Sequence, residues 1–64
     1  MAKYRKKPVV IDATQMDHDG KIFDYLHGVD IPYKATDWII TGTKGEKYPC
    51  IDAVFKEVYE PIDG

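Results

Sequence analysis

Cys50 is the only cysteine in a chain of 64 residues, so no internal disulfide can staple whatever core the chain builds. A domain of this length buries only about 60% of the surface that its unfolded chain exposes. Scaffolds so small take extra support from disulfides, a metal or a partner subunit, because one core supplies only roughly 3–5 kcal/mol. The first support is closed to this chain and the second fails on ligand spacing, as argued below, which leaves self-association. A homo-oligomer built from one small domain over residues 1–64 is the expectation.

Charged residues make up 31% of the chain and hydrophobic ones 44%, the balance of a folded domain and not of a disordered tail. The formal net charge of −2 leaves no general excess of cations to neutralise phosphates, so a nucleic acid partner is not favoured. The cations are nevertheless uneven. Lys3, Arg5, Lys6 and Lys7 crowd the first seven positions, which allows a local anion site. No apolar run approaches the ~20 residues that span a bilayer, and the lone thiol suits a reducing compartment. With no apolar leader at the N-terminus, a cytoplasmic protein with no membrane partner is expected.

Period-2 patterning over residues 8–14 predicts a half-buried strand with Val9, Ile11 and Ala13 on one face. Asp17 or Asp19 is placed to cap a helix that runs to about His27, where Ile22, Phe23 and Leu26 share a face, Gly28 suits a left-handed terminus and Pro32 forbids continuation. Residues 29–36 have no clear period and read as a connection. The clearest hairpin signal is residues 37–41, rich in β-branched and aromatic side chains, then Gly42-Thr43-Lys44-Gly45, then residues 46–49. Trp38 and Ile40 share a face there. Residues 51–56 predict a helical turn with Asp52 as its N-cap, burying Val54 and Phe55, and residues 57–60 a last strand. The fold class is α+β: a small, mainly antiparallel sheet of three or four strands in the order β-α-β-β-short helix-β, with one amphipathic helix on one face. Its interior is expected to join Val9, Ile11, Ile22, Phe23, Leu26, Trp38 and Ile40.

Two stretches, Tyr4-Arg5-Lys6-Lys7-Pro8-Val9-Val10-Ile11-Asp12-Ala13 and Asp37-Trp38-Ile39-Ile40-Thr41-Gly42 continuing through Gly45-Glu46-Lys47-Tyr48-Pro49-Cys50 to Tyr59-Glu60-Pro61, resemble a family of small bacteriophage and prophage proteins grouped as PGDYG-like. The resemblance implies a phage accessory protein acting in the bacterial cytoplasm and implies no particular activity. Where the family often has Pro-Gly before the Asp, this chain has Ala35-Thr36. Very small phage proteins commonly occupy a host component or soak up a signalling molecule, which raises the prior on a binding role.

The candidate ligand-binding residues are Arg5 and Lys7, whose cations suit a phosphate, with Tyr4, Trp38 and Tyr48 as stacking faces. Read structurally, the same cations are a solvated strand end that keeps an edge from pairing. Tyr33, Tyr48 and Tyr59 are expected nearer the surface, since tyrosine carries a polar tip. Gly42-Thr43-Lys44-Gly45 lacks the spacing and following helix of a phosphate loop, and Asp17-His18-Asp19-Gly20 is followed by Lys21 where a calcium loop needs oxygen ligands. Cys50 with His18 or His27 has no orienting motif for nucleophilic catalysis and makes a poor zinc set, so neither an enzyme nor a metal or other cofactor is expected. The functional expectation is capture of a small anionic, nucleotide-like ligand that counters a host defence, or else direct binding of a host protein through a strand edge or an aromatic face.

Overall fold

The computed structural model describes residues 1–5 and 7–62; Lys6 of the basic cluster lies outside them. Among the described residues there are five strands in two antiparallel sheets and one short helix, which agrees with the α+β class and differs from the expected single sheet. Strands β1 (Asp12–Gln15), β4 (Trp38–Thr41) and β5 (Lys47–Cys50) form a sheet with β4 in the centre. Strands β2 (Gly20–Asp24) and β3 (Val29–Tyr33) form a separate hairpin, and α1 (Asp52–Val58) follows β5.

The β4–β5 hairpin lies where its alternation and glycines put it. Gly45 takes a positive φ of 84°, Gly42 N–H donates to the Glu46 carbonyl at 2.8 Å, and Gly45 N–H closes back on Gly42 at 3.1 Å. Side chains of directly paired residues share a face. Ala13, Ile40 and Tyr48 therefore form one row, and Gln15, Trp38 and Cys50 the next row on the same face, as expected for Trp38 and Ile40. Thr14, Ile39 and Pro49 lie on the other. Both neighbours on β4, Ile39 at 6% exposure and Ile40 at 1%, are buried, so both faces of the central strand are covered.

The expected helix ending near His27 is instead the β2–β3 hairpin, and the expected connection at residues 29–36 contains β3. Helical spacing was present but only one turn of it is used. Gly28, at φ 68°, donates its N–H to the Asp24 carbonyl and closes a turn of four residues between the strands. The flanking Ile22, Phe23, Val29 and Ile31 are residues that favour strands, and the register pairs Ile22 with Ile31 and Gly20 with Tyr33. One face of the hairpin thus carries Tyr33, Ile31, Ile22 and Asp24, and the other Phe23, Lys21 and Asp30. Phe23 and Leu26, expected in the core, are 42% and 51% exposed, while Tyr33, expected outside, is buried.

The hairpin packs against β5. Lys47 N–H points away from β4 and donates to the Asp24 carboxylate at 3.3 Å. Pro49, two residues on, has its nitrogen on that same outer side, so its missing N–H removes no bond from the β4 ladder. Because Trp38 lies beneath α1 and Ile22 belongs to the hairpin, the single core expected to join them is replaced by two small packing groups sharing the central sheet.

Gly20 is the tightest point of the hairpin. A Cβ there would stand 2.5 Å from the Tyr33 hydroxyl oxygen and 2.7 Å from its ring carbon. Overpacking of this kind costs about 1–3 kcal/mol, and Gly20→Ala is expected to lower the thermal midpoint by several degrees. An unchanged melting curve would mean the Tyr33 ring has room to move aside.

The ends of the chain also depart from expectation. The first strand begins at Asp12 and not at Pro8, leaving residues 7–11 as an arm without ladder bonds, with Val9 at 50% and Val10 at 73% exposure. The predicted last strand is absent, since α1 continues through Val58 and Tyr59 is the extended C-terminal cap. Ile51, not Asp52, is the N-cap, and it makes no side-chain capping bond. Val54 is 43% exposed, so only Phe55 of the expected buried pair is drawn inward.

Candidate functional site

Asp52 is free for a tertiary role because it does not cap its own helix. Its Oδ1 accepts the Trp38 indole N–H at 2.8 Å and the Gln15 amide at 3.3 Å, and Lys56 one turn on lies 3.0 Å from Oδ2. The Trp38 hydrogen bond, then that of Lys56, holds the Asp52 carboxyl below the usual carboxylate range. This pins α1 to the sheet at one register. The Trp38 and Phe55 rings consequently stack with centroids 4.0 Å apart and 5° between planes, and Phe55 stacks in turn on Tyr59 at 5.0 Å. Phe55 and Tyr59 are four residues apart, the spacing that puts side chains one above the other on a helix.

This three-ring column lines a cleft of about 790 Å³ between the N-terminal arm and α1. Val9, Val10 and Ile11 form the arm side, and Pro61 and Ile62 the C-terminal side. Charge is sparse and mixed: Asp12, Lys56 and Glu60 lie on the lining. A second, smaller cleft of about 420 Å³ adjoins it, lined by Lys7, Val9, Val10, Val58, Glu60 and Ile62 among others.

The residues singled out from sequence are divided by this geometry. Trp38 lines the main cleft and Lys7 the adjoining one. Tyr4 is 94% exposed and Arg5 is exposed, and neither lines a cleft. Tyr48 lies on the same sheet face but outside both linings, tied to Tyr59 by a hydrogen bond that, with burial and that neighbour's charge, pushes its phenol up to about 12. Phe55 was not chosen as a ligand contact from sequence, and Tyr59 was named only among the surface tyrosines suited to an interface or ligand, although their i,i+4 spacing was the available signal. Cys50 Sγ donates to the Ile51 carbonyl at 3.6 Å.

Two further clusters lie on the hairpin side. Asp24, at 2% exposure, accepts Leu26 N–H at 3.1 Å as well as Lys47 N–H, and accepts a hydrogen bond from His27 Nδ1. The His27 bond lowers its pKa against the opposing effect of burial. His18 Nδ1 donates to Asp17 at 2.7 Å, so the neutral ring can accept the Tyr33 hydroxyl at Nε2, 3.2 Å away. Asp17 is held below its ordinary range by that His18 bond. Asp19 receives Ala35 N–H at 2.8 Å, which spends its carboxylate on loop structure.

No helix among the described residues is long and apolar enough to cross a membrane. No protein-family model, curated protein or solved structure matches this chain, so the chemistry of the cleft rests on its own residues.

Proposed function

We propose that the chain is a phage-type accessory binding protein that acts in the host cytoplasm by holding a small nucleotide-like ligand in the cleft between the N-terminal arm and α1. The supporting observation is the Trp38–Phe55–Tyr59 column on the lining of a space whose volume, about 790 Å³, falls in the range of small-molecule sites. An aromatic column offers a planar base the stacking surface that single-stranded nucleic-acid binders use, worth about 1–3 kcal/mol per base. Lys56 on the lining and Lys7 on the adjoining cleft are the cations nearest to hand for a phosphate, with Arg5 two residues further along the arm. An accessory role that counters a host defence is what the resemblance read in residues 4–13, 37–42, 45–50, 55 and 59–61 implies.

Calorimetric titration with AMP and GMP tests this. Phe55 is sandwiched between Trp38 and Tyr59, so Phe55→Leu keeps apolar volume but disturbs the column that positions those two rings, and should weaken binding by roughly tenfold, about the worth of one misplaced stacking surface. Lys7→Glu, which reverses the cation on the adjoining cleft, should weaken it further. No heat from the parent protein with either nucleotide rejects the ligand, and an unchanged affinity in Phe55→Leu rejects the cleft.

A second reading, in which the partner is a host protein, is favoured by the exposed tip of the β2–β3 hairpin. Phe23 and Tyr25 meet edge to face at 4.9 Å, with Tyr25 80% and Leu26 51% exposed beside them. Retention of one host polypeptide that Tyr25→Ala releases, with no nucleotide heat, would select it.

A further inference from the structure

The chain exposes 5531 Å², against about 4,200 Å² expected of a folded monomer of its 7.3 kDa mass. Its radius of gyration is 13.0 Å, against about 11 Å for a compact domain of this length. The excess of roughly 1,300 Å² exceeds the ~800 Å² that each partner contributes to an interface of standard size. Within the described residues only Tyr33, Ile39 and Ile40 are buried apolar side chains, a small core for a chain that cannot form an internal disulfide.

Part of that exposed surface is an apolar strip between the arm and the end of α1. Along the arm Tyr4, Val9 and Val10 are 94%, 50% and 73% exposed, and facing them across the smaller cleft Val58 and Ile62 are 53% and 67% exposed. The charges on that cleft are one of each sign, Lys7 and Glu60. Such a face has no surplus charge with which to select an oppositely charged partner. One charge of each sign beside an apolar strip can meet the same pair on a second copy across a two-fold axis, where residue i of one copy faces j of the other and j faces i. An apolar centre with a polar rim is also the usual anatomy of an interface.

We infer that the face formed by the arm and α1 docks on the same face of a second copy, with Val9, Val10, Val58 and Ile62 at the centre and Lys7 and Glu60 paired across the axis. The inference deepens the reading of the chain as a binding module expected to assemble as a homo-oligomer, and it names the surface. Since Val9, Val10 and Ile62 line both clefts, the second copy would also wall the mouth of the aromatic one.

Sedimentation equilibrium of the full chain, from low micromolar to near millimolar concentration, should return twice the 7.3 kDa mass. Val10→Asp and Val58→Asp should each raise the dissociation constant by at least about tenfold, because each carries a charge into the apolar centre. Val10 lies outside every strand, so its variant should keep the parent's circular dichroism. Lys7→Glu and Glu60→Lys should each weaken the dimer, since like charges are then opposed twice, and the double swap should restore it. A monomer throughout the range overturns the inference, as does a dimer untouched by both aspartates or a double swap that stays weak. A monomer that still gives nucleotide heat condemns this interface and spares the ligand reading; a dimer without heat does the reverse.

Discussion

Ile40→Ala should leave little folded protein at 25 °C. Ile40 lies on the central strand, paired with Ala13 on one side and Tyr48 on the other, and is 1% exposed. Truncating a buried isoleucine costs about 2–5 kcal/mol, made up of lost burial and the cavity left behind. A single core of this size supplies roughly 3–5 kcal/mol in all, so one residue puts most of the fold at risk. Ile40→Val, at about 0.5–1.5 kcal/mol, should still unfold cooperatively at a lower urea midpoint. Val54→Ala, on the exposed side of α1, should move that midpoint little. All three must be compared at one protein concentration, because any assembly would add stability by mass action. A cooperative urea transition in Ile40→Ala close to that of the parent would show that the weight of the core lies elsewhere.

The burial of Ile40 could be read from the sequence because the β4–β5 hairpin is specified locally. Alternating β-branched and aromatic residues and two glycines fix strand, turn and register within fourteen positions, 37–50. The β2–β3 hairpin was hidden by a real local signal. Ile22, Phe23 and Leu26 do fit a helical face, and residues 25–28 do make one turn closed on Asp24, but cross-strand pairing of Ile22 with Ile31 outweighs its extension. The length of α1, which takes the place of the expected last strand, was missed for a similar reason. Helical turns and strands compete closely over residues 57–60, and the stack of Phe55 on Tyr59 favours carrying the helix to Val58.

Of the site, Trp38 was legible as an aromatic on a covered face. Its meeting with Phe55 was not, because the contact joins residues seventeen apart through a hydrogen bond to Asp52 that no periodicity encodes. The two carboxylates that organise the molecule look alike on paper and like any surface charge. Asp52 fixes α1 over the sheet, and Asp24 fixes the hairpin against β5, each by accepting N–H donors from distant segments. Side chains of this kind stay invisible until the backbone has brought their donors together.

Asp24→Ala is accordingly expected to release the hairpin. The carboxylate has three partners on two segments: the Leu26 N–H and His27 of its own turn, and the Lys47 N–H of β5. Without it the Lys47 N–H, facing away from β4, loses its acceptor, and a buried donor left unsatisfied costs more than an ordinary hydrogen bond returns. The thermal midpoint should fall by a margin comparable to that of Ile40→Ala, with amide exchange protection lost first in β2 and β3. Asp24→Asn, which retains one acceptor oxygen, should lie between the variant and the parent. The pH dependence carries a definite sign. The His27 bond lowers the Asp24 pKa in the folded state, so its contribution is fully present above the ordinary aspartate value of about 3.9 and drains away as pH falls through the lower folded value. Asp17 and Asp52, lowered by His18 and by Trp38, act in the same direction. Urea midpoints at pH 6 and pH 3 should therefore differ strongly in the parent and less in Asp24→Asn, which has no carboxylate to protonate at that position. Equal losses in the two proteins would remove Asp24 as a source of the acid sensitivity and leave it to Asp17 in the loop and Asp52 on α1.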